Sequence, residues 1–195
     1  MVEKNDIIVA SANLFATNGF DATSVSDISK AVGLSASAGG IYRHFKSKNA
    51  IFDAIFDDYY NNYVAFLGAV NSNVSSGLYV NKRDLARTLL ELSLEQAKMD
   101  IDIIKLYFKE RSRLKEKHVV QAARLREKSI VAFTFVCKYI SGSKADFDAE
   151  AAAAILIDSM NFRVSEFVPD HGISEDRYIS SLTDLLYALI VGSED

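Results

Sequence analysis

The sequence predicts an all-α fold. One proline and nine glycines in 195 residues leave long stretches without helix breakers. Apolar residues recur at three-and-four spacing through most of the chain, and no segment alternates with the period of a strand. Near the N-terminus a glycine, Gly33, separates two short helical patterns. The length suffices to bury a real core in one or two domains.

Taken in order, Ile7, Ile8, Ala10, Leu14 and Phe15 fall at helical spacing between Asp6 and Phe20, with Asn18-Gly19 as the stop. Thr23 and Ser24 offer N-caps, and Ser24 with Asp27 has the form of a capping box. A second helix then runs to about Val32, burying Val25, Ile28 and either Ala31 or Val32. Gly33 supplies the turn, Leu34 plugs the angle, and a third helix ends near Phe45. Three short helices with a tight glycine turn between the last two have the form of a DNA-binding helix-turn-helix. Ser47 caps a long helix from Lys48 that carries Ile51, Ile55, Tyr59, Tyr63 and Leu67 on one face. Asn71 to Gly77 reads as the clearest loop. Further helices are expected over about 82–98, 101–112, 118–140, 146–167 and 174–191. The expected organisation is a helix-turn-helix DNA-binding domain, 1–47, followed by a helical domain, 48–195, to which the family resemblance described below assigns effector binding and dimerisation.

The net charge of −4 does not advertise nucleic-acid binding, and its distribution matters more. Residues 35–50 carry Arg43, Lys46 and Lys48 and no acid, a local +3 on an acidic chain. Residues 103–128 hold nine basic residues against Glu110, Glu116 and Glu127. That run is either a second nucleic-acid surface or a set of solvated, ion-paired helix faces, the latter being the default. Cys137 stands alone, which excludes a disulfide framework and paired metal thiolates and reads as a small buried apolar residue. His44, His118 and His171 lack ligand spacing, and no glycine loop has the form of a phosphate cradle. No metal, no cofactor and no enzymatic activity are therefore expected. Met1 to Asp6 lacks the pattern of a secretory signal, and no apolar run approaches the roughly eighteen residues that span a bilayer. The expectation is a cytoplasmic protein with no membrane partner.

Two regions of the second half bear on partners. Ala151–Ala154, Ile155, Ile157, Met160 and Val164 form one apolar helix, and Ile179, Leu182, Leu185, Leu186, Leu189 and Ile190 form another. Joined through Pro169, they either belong to the core or dock on a symmetry mate as a four-helix bundle. The homodimer is favoured because a palindromic DNA site requires a two-fold protein. Phe108, Phe133, Phe135, Tyr139, Met160, Phe162 and Arg163 lie on helices that either fill a core or line a cavity. If they line one, the mixture suits a largely apolar ligand with few polar anchors, bound by Phe108, Phe133, Tyr139, Met160 and Arg163.

The first quarter of the chain resembles the N-terminal domain of the tetracycline-repressor (TetR) family. The matching elements are Ile7 to Phe15, Gly19-Phe20-Asp21-Ala22-Thr23-Ser24-Val25, Asp27-Ile28, Gly33-Leu34-Ser35, Ile41-Tyr42-Arg43-His44-Phe45, and Ser47-Lys48 with Ile51. The resemblance implies a homodimeric transcription regulator, most often a repressor. It implies two N-terminal domains on a palindromic operator and a C-terminal pocket whose small-molecule effector releases the DNA. It further implies that Tyr42, His44 and Lys48 contact the DNA backbone and that Ser24, Ser35 and Ser37 meet phosphate or base edges. Ser24 and Ser35 are equally well read as helix caps. Gly40, with Gly39, leaves the helix surface bare for approach to the groove, and Arg43 is the candidate reader of a guanine edge. Between Ser35 and Tyr42 this chain has two residues more than the commonest family spacing, which shifts the base-contacting half more than the backbone-contacting half. The alternative is a helical protein that binds small molecules or protein partners and retains a vestigial DNA domain.

Overall fold

The structure, a computed structural model, describes residues 2–34, 39–77, 81–142, 147–164 and 172–191, without the side chains of 161–164, 190 and 191. Among the described residues all regular structure is helical, as the sequence predicts. The helices are α1 (Lys4–Asn18), α2 (Val25–Ala31), α3 (Gly39–Tyr42), α4 (Lys48–Ser75), α5 (Lys82–Met99), α6 (Ile101–Lys109), α7 (Glu116–Ser141), α8 (Ala149–Val164) and α9 (Glu175–Val191). A 3-10 turn, Arg111–Arg113, follows α6. No helix among them is long and apolar enough to cross a membrane.

The chain forms two compact units, one from residues 1–62 and 100–123, the other from 63–99 and 124–195. The first unit is built on Ile7, Phe15, Ile28, Ile41, Ile51, Ile55 and Leu106, all fully buried. Burying an aliphatic or aromatic side chain of this size contributes about 1.5–3 kcal/mol, so this small domain rests on a few residues. An aromatic run continues that core: Phe15–Phe20 and Phe20–Phe52 ring centroids are each 5.1 Å apart, and Phe52–Phe56 are 5.2 Å apart. Helix α6 belongs here, packing on α1 through Leu106, with Asn13 donating to Asp102 at 2.9 Å.

In the second unit, Leu85, Leu89, Leu90 and Leu94 of α5 pack with α8 and α9. Phe133, Val136, Cys137 and Ile140 of α7 complete that core. Cys137 is buried there as expected, and burial pushes its thiol up to about 11, leaving it protonated and inert.

Several boundaries differ from the sequence expectation. Helix α4 continues to Ser75, through residues that read as a loop. Val70 and Val74 are buried on its inner face, and the Ser72 and Ser75 hydroxyls donate to the Gly68 and Asn71 carbonyls at 3.0 and 2.9 Å. The polar residues thus ride on the outside of a helix that packing sustains. Helix α6 stops at Lys109, because the next residues turn their side chains onto the α1–α2 connection. Helix α8 begins at Ala149, where the Asp148 carboxylate accepts from the Ala151 N–H at 2.9 Å. Pro169 lies outside the described residues.

Candidate nucleic-acid interface

The site grows from the α2–turn–α3 segment. Ser24 caps α2 in a reciprocal box: its hydroxyl accepts from the Asp27 N–H at 3.1 Å, and Asp27 Oδ2 accepts from the Ser24 N–H at 2.9 Å. The hydroxyl also donates to Asp27 Oδ2 at 2.6 Å, and these bonds hold the Asp27 carboxyl below the usual carboxylate range. The helix-cap reading of Ser24 is therefore realised, and its hydroxyl is engaged within the cap.

Gly33 adopts φ +73°, the left-handed turn that any Cβ would strain. Leu34 then packs on α3 so closely that a Cβ on Gly40 would lie 2.7 Å from Leu34 Cδ1. Gly40 thus gives its bare face to the interior of the motif, whereas Gly39 has open space where a Cβ would stand. Ser35 and Ser37 lie outside the described residues.

Helix α3 ends at Tyr42, three residues earlier than expected, and one further turn follows in which the His44 and Phe45 N–H groups donate to the Ile41 carbonyl at 2.9 and 3.0 Å. Ile41 and Phe45, 0% and 5% exposed, anchor this turn in the core. The intervening Tyr42, Arg43 and His44 all face outward, as does Lys46. Among the described residues no ion pair or hydrogen bond engages the side chains of Arg43 or Lys46. An apolar anchor at each end of an exposed Tyr-Arg-His row is an arrangement that can present two donors and a cation to a polyanion.

Lys48 opens α4 but does not stand free. Its Nζ donates to the carbonyls of Phe20 and Thr23, both at 2.8 Å, and lies 4.3 Å from the Phe20 ring centroid.

The basic run of the second half follows the default reading. Lys109 Nζ donates to the Ala16 and Thr17 carbonyls at the end of α1 (2.9 and 3.0 Å), and Arg113 pairs with Asp21 at 2.7 Å. Lys115 pairs with Asp53, Lys117 with Asp57 at 2.7 Å, and Arg126 with Asp158 at 3.1 Å. What sequence reasoning missed is that Lys109 holds the end of α1 while Glu110 and Arg113 grip the α1–α2 connection. The partners stand about ninety residues apart in sequence, so no local pattern links them.

Of the expected ligand-lining residues, Phe133 and Met160 are buried in the second unit's core. Tyr139, at 38%, and Phe108, at 59% and in the first unit, are exposed. The Arg163 side chain lies outside the described residues. Among the described residues no group of three or more His, Cys, Asp or Glu could hold a metal ion.

A buried three-helix core with an exposed basic row, beside an all-helical second unit, has the form of a helix-turn-helix protein. Residues 7–55 match the family model described as bacterial regulatory proteins, tetR family. Comparison with curated proteins finds no match. Among solved structures, PfmR, a TetR family transcriptional regulator from Thermus thermophilus, is 19% identical with a TM-score of 0.65, over 97% of this chain and 99% of its own. A tetR-family regulatory protein from Rhodococcus RHA1 is 22% identical with a TM-score of 0.63, over 96% of each chain. The superantigen PfiT is 19% identical with a TM-score of 0.67, over 98% of this chain and 97% of its own. At such identities the likeness shows the fold, and one fold serves differently named proteins. Residues 7–55 are thus similar to the tetR-family model, and the chain as a whole shares the fold of these solved structures.

Proposed function

We propose that the protein is a TetR-type repressor that binds a palindromic operator as a homodimer and is released by a small, largely apolar ligand. The observation that carries this reading is the exposed Tyr42-Arg43-His44 row between the buried anchors Ile41 and Phe45, inside the segment that matches the family model. Arg43 reads a base edge, while Tyr42 and His44 hold the backbone of the DNA and set the register. Gly39, with open space where a Cβ would stand, gives the closest approach to the groove.

The two-fold is made by the last two helices. On α8, Ala151 and Ile155 are exposed, and on α9 Ser181, Leu185, Ala188 and Leu189 are exposed at helical spacing. Ile155, Leu185 and Leu189 are 67%, 62% and 62% exposed, an apolar surface stripe of the kind that pairs with itself across a two-fold axis. An enzymatic reading finds little support: Cys137 is buried and protonated, His118 is buried, and His44 sits on the basic row.

Fluorescence anisotropy with duplexes tiling the DNA around the protein's own gene tests the reading. One duplex is bound with a Kd in the range of roughly 10⁻⁸ to 10⁻¹¹ M, falling steeply with salt, and apolar small molecules are then screened for release. Equal, weak binding of every duplex overturns it.

A further inference from the structure

The connection between α1 and α2 is held from outside itself to a degree its sequence does not announce. Lys48 Nζ donates to the carbonyls of Phe20 and Thr23, each at 2.8 Å, and sits 4.3 Å from the Phe20 ring centroid. The Arg113 guanidinium lies 4.4 Å from the same centroid and pairs with Asp21 at 2.7 Å. Glu110 Oε1 accepts from the Phe20 N–H at 2.9 Å. Phe20 itself is 4% exposed, with Lys48 half-buried and Arg113 reaching its ring from the surface. An ammonium carries three donors; two of those of Lys48 are taken by carbonyls of the connection that leads directly into the Ser24 N-cap.

We propose that Lys48 serves DNA binding as a positioning residue rather than as a phosphate ligand, and that Arg113 shares this role. Together they fix the Phe20–Thr23 connection, and through it the direction in which α2 enters the helix-turn-helix. This rests on the DNA-binding reading above. The contrast is physical. A lysine that neutralises a phosphate releases a counterion, and its removal lowers the slope of log K against log salt by about 0.9. A lysine that holds backbone carbonyls changes affinity with no change in slope.

Two measurements decide it, on the full chain. In operator titrations across a salt series, Lys48→Met and Arg113→Gln weaken binding severalfold at every salt concentration, with the wild-type slope retained. In hydrogen exchange on the free protein, both variants speed exchange of the amides of residues 20–28 and leave those of residues 51–56 unchanged. A slope lower by about one counterion for Lys48→Met overturns the proposal, because it reports a lost phosphate contact. Unchanged exchange at residues 20–28 in both variants overturns it as well. If Lys48→Met does not fold, Arg113→Gln carries both arms, since its side chain lies at the surface of the unit. If the wild-type chain binds no duplex, the DNA-binding reading fails, and the exchange measurement still judges the role of Lys48 and Arg113.

Discussion

Arg43 and His118 show how differently two ionisable residues of one unit are used. Arg43 is exposed and unengaged among the described residues, which is what a base reader requires. Arg43→Ala is expected to lose about 1–3 kcal/mol of discrimination between the operator and a duplex substituted at the contacted guanine, read from paired anisotropy titrations. His118 is 1% exposed, lies 5.1 Å ring to ring from Phe56, and has neither ring nitrogen hydrogen-bonded. Its Nε2 stands 3.6 Å from Asp53 Oδ1. Burial and the neighbouring Lys117 and Lys115 push its pKa below the ordinary 6.5, against the opposing pull of Asp53 and Asp57. The unfolded chain therefore binds a proton first as pH falls. Stability is full above pH 6.5 and is lost as pH drops through the folded-state value, and in His118→Gln that dependence flattens. Urea unfolding midpoints measured across this range check both statements.

At the scale of elements, what was legible in the sequence was what local chemistry dictates. The Ser24/Asp27 box, the Gly19 and Gly33 punctuation and the Ser47 cap of α4 all stand where the residues place them. Ser24→Ala should cost about 1 kcal/mol, measured as a fall in unfolding free energy, because it leaves the Asp27 N–H without its partner. The basic run at 103–128 was also legible in kind, as ion-paired faces, though not in its partners. The misread elements share one cause, which is that tertiary packing overrides composition. Asn71 to Ser75 looks like a loop until Val70 and Val74 are seen buried on one face. Helix α6 gives no local hint that it belongs with α1. Gly40 illustrates the same limit within the site: a glycine in a recognition helix suggests an open surface, but only its distance to Leu34 shows that the space is used inside.

For the molecule as a whole, the proposed regulation needs two DNA-binding units held in fixed register, and the exposed apolar stripes on α8 and α9 are the surface proposed to supply it. Leu185→Glu places a charge on an exposed position of α9 without touching the core. It is expected to convert a dimer to a monomer in analytical ultracentrifugation while the far-ultraviolet circular dichroism stays helical. Operator affinity falls with it, since a single unit grips one half-site. A Leu185→Glu chain that sediments as wild type contradicts the two-fold proposed here. Selection from a pool of random duplexes by the purified chain addresses the central claim most directly. A TetR-type regulator enriches one palindrome, with half-sites spaced by a multiple of the roughly 10-base-pair helical turn, and Arg43→Ala relaxes the preference at a fixed position in each half. A pool that emerges with no enriched sequence, or with a single unpaired site, contradicts it.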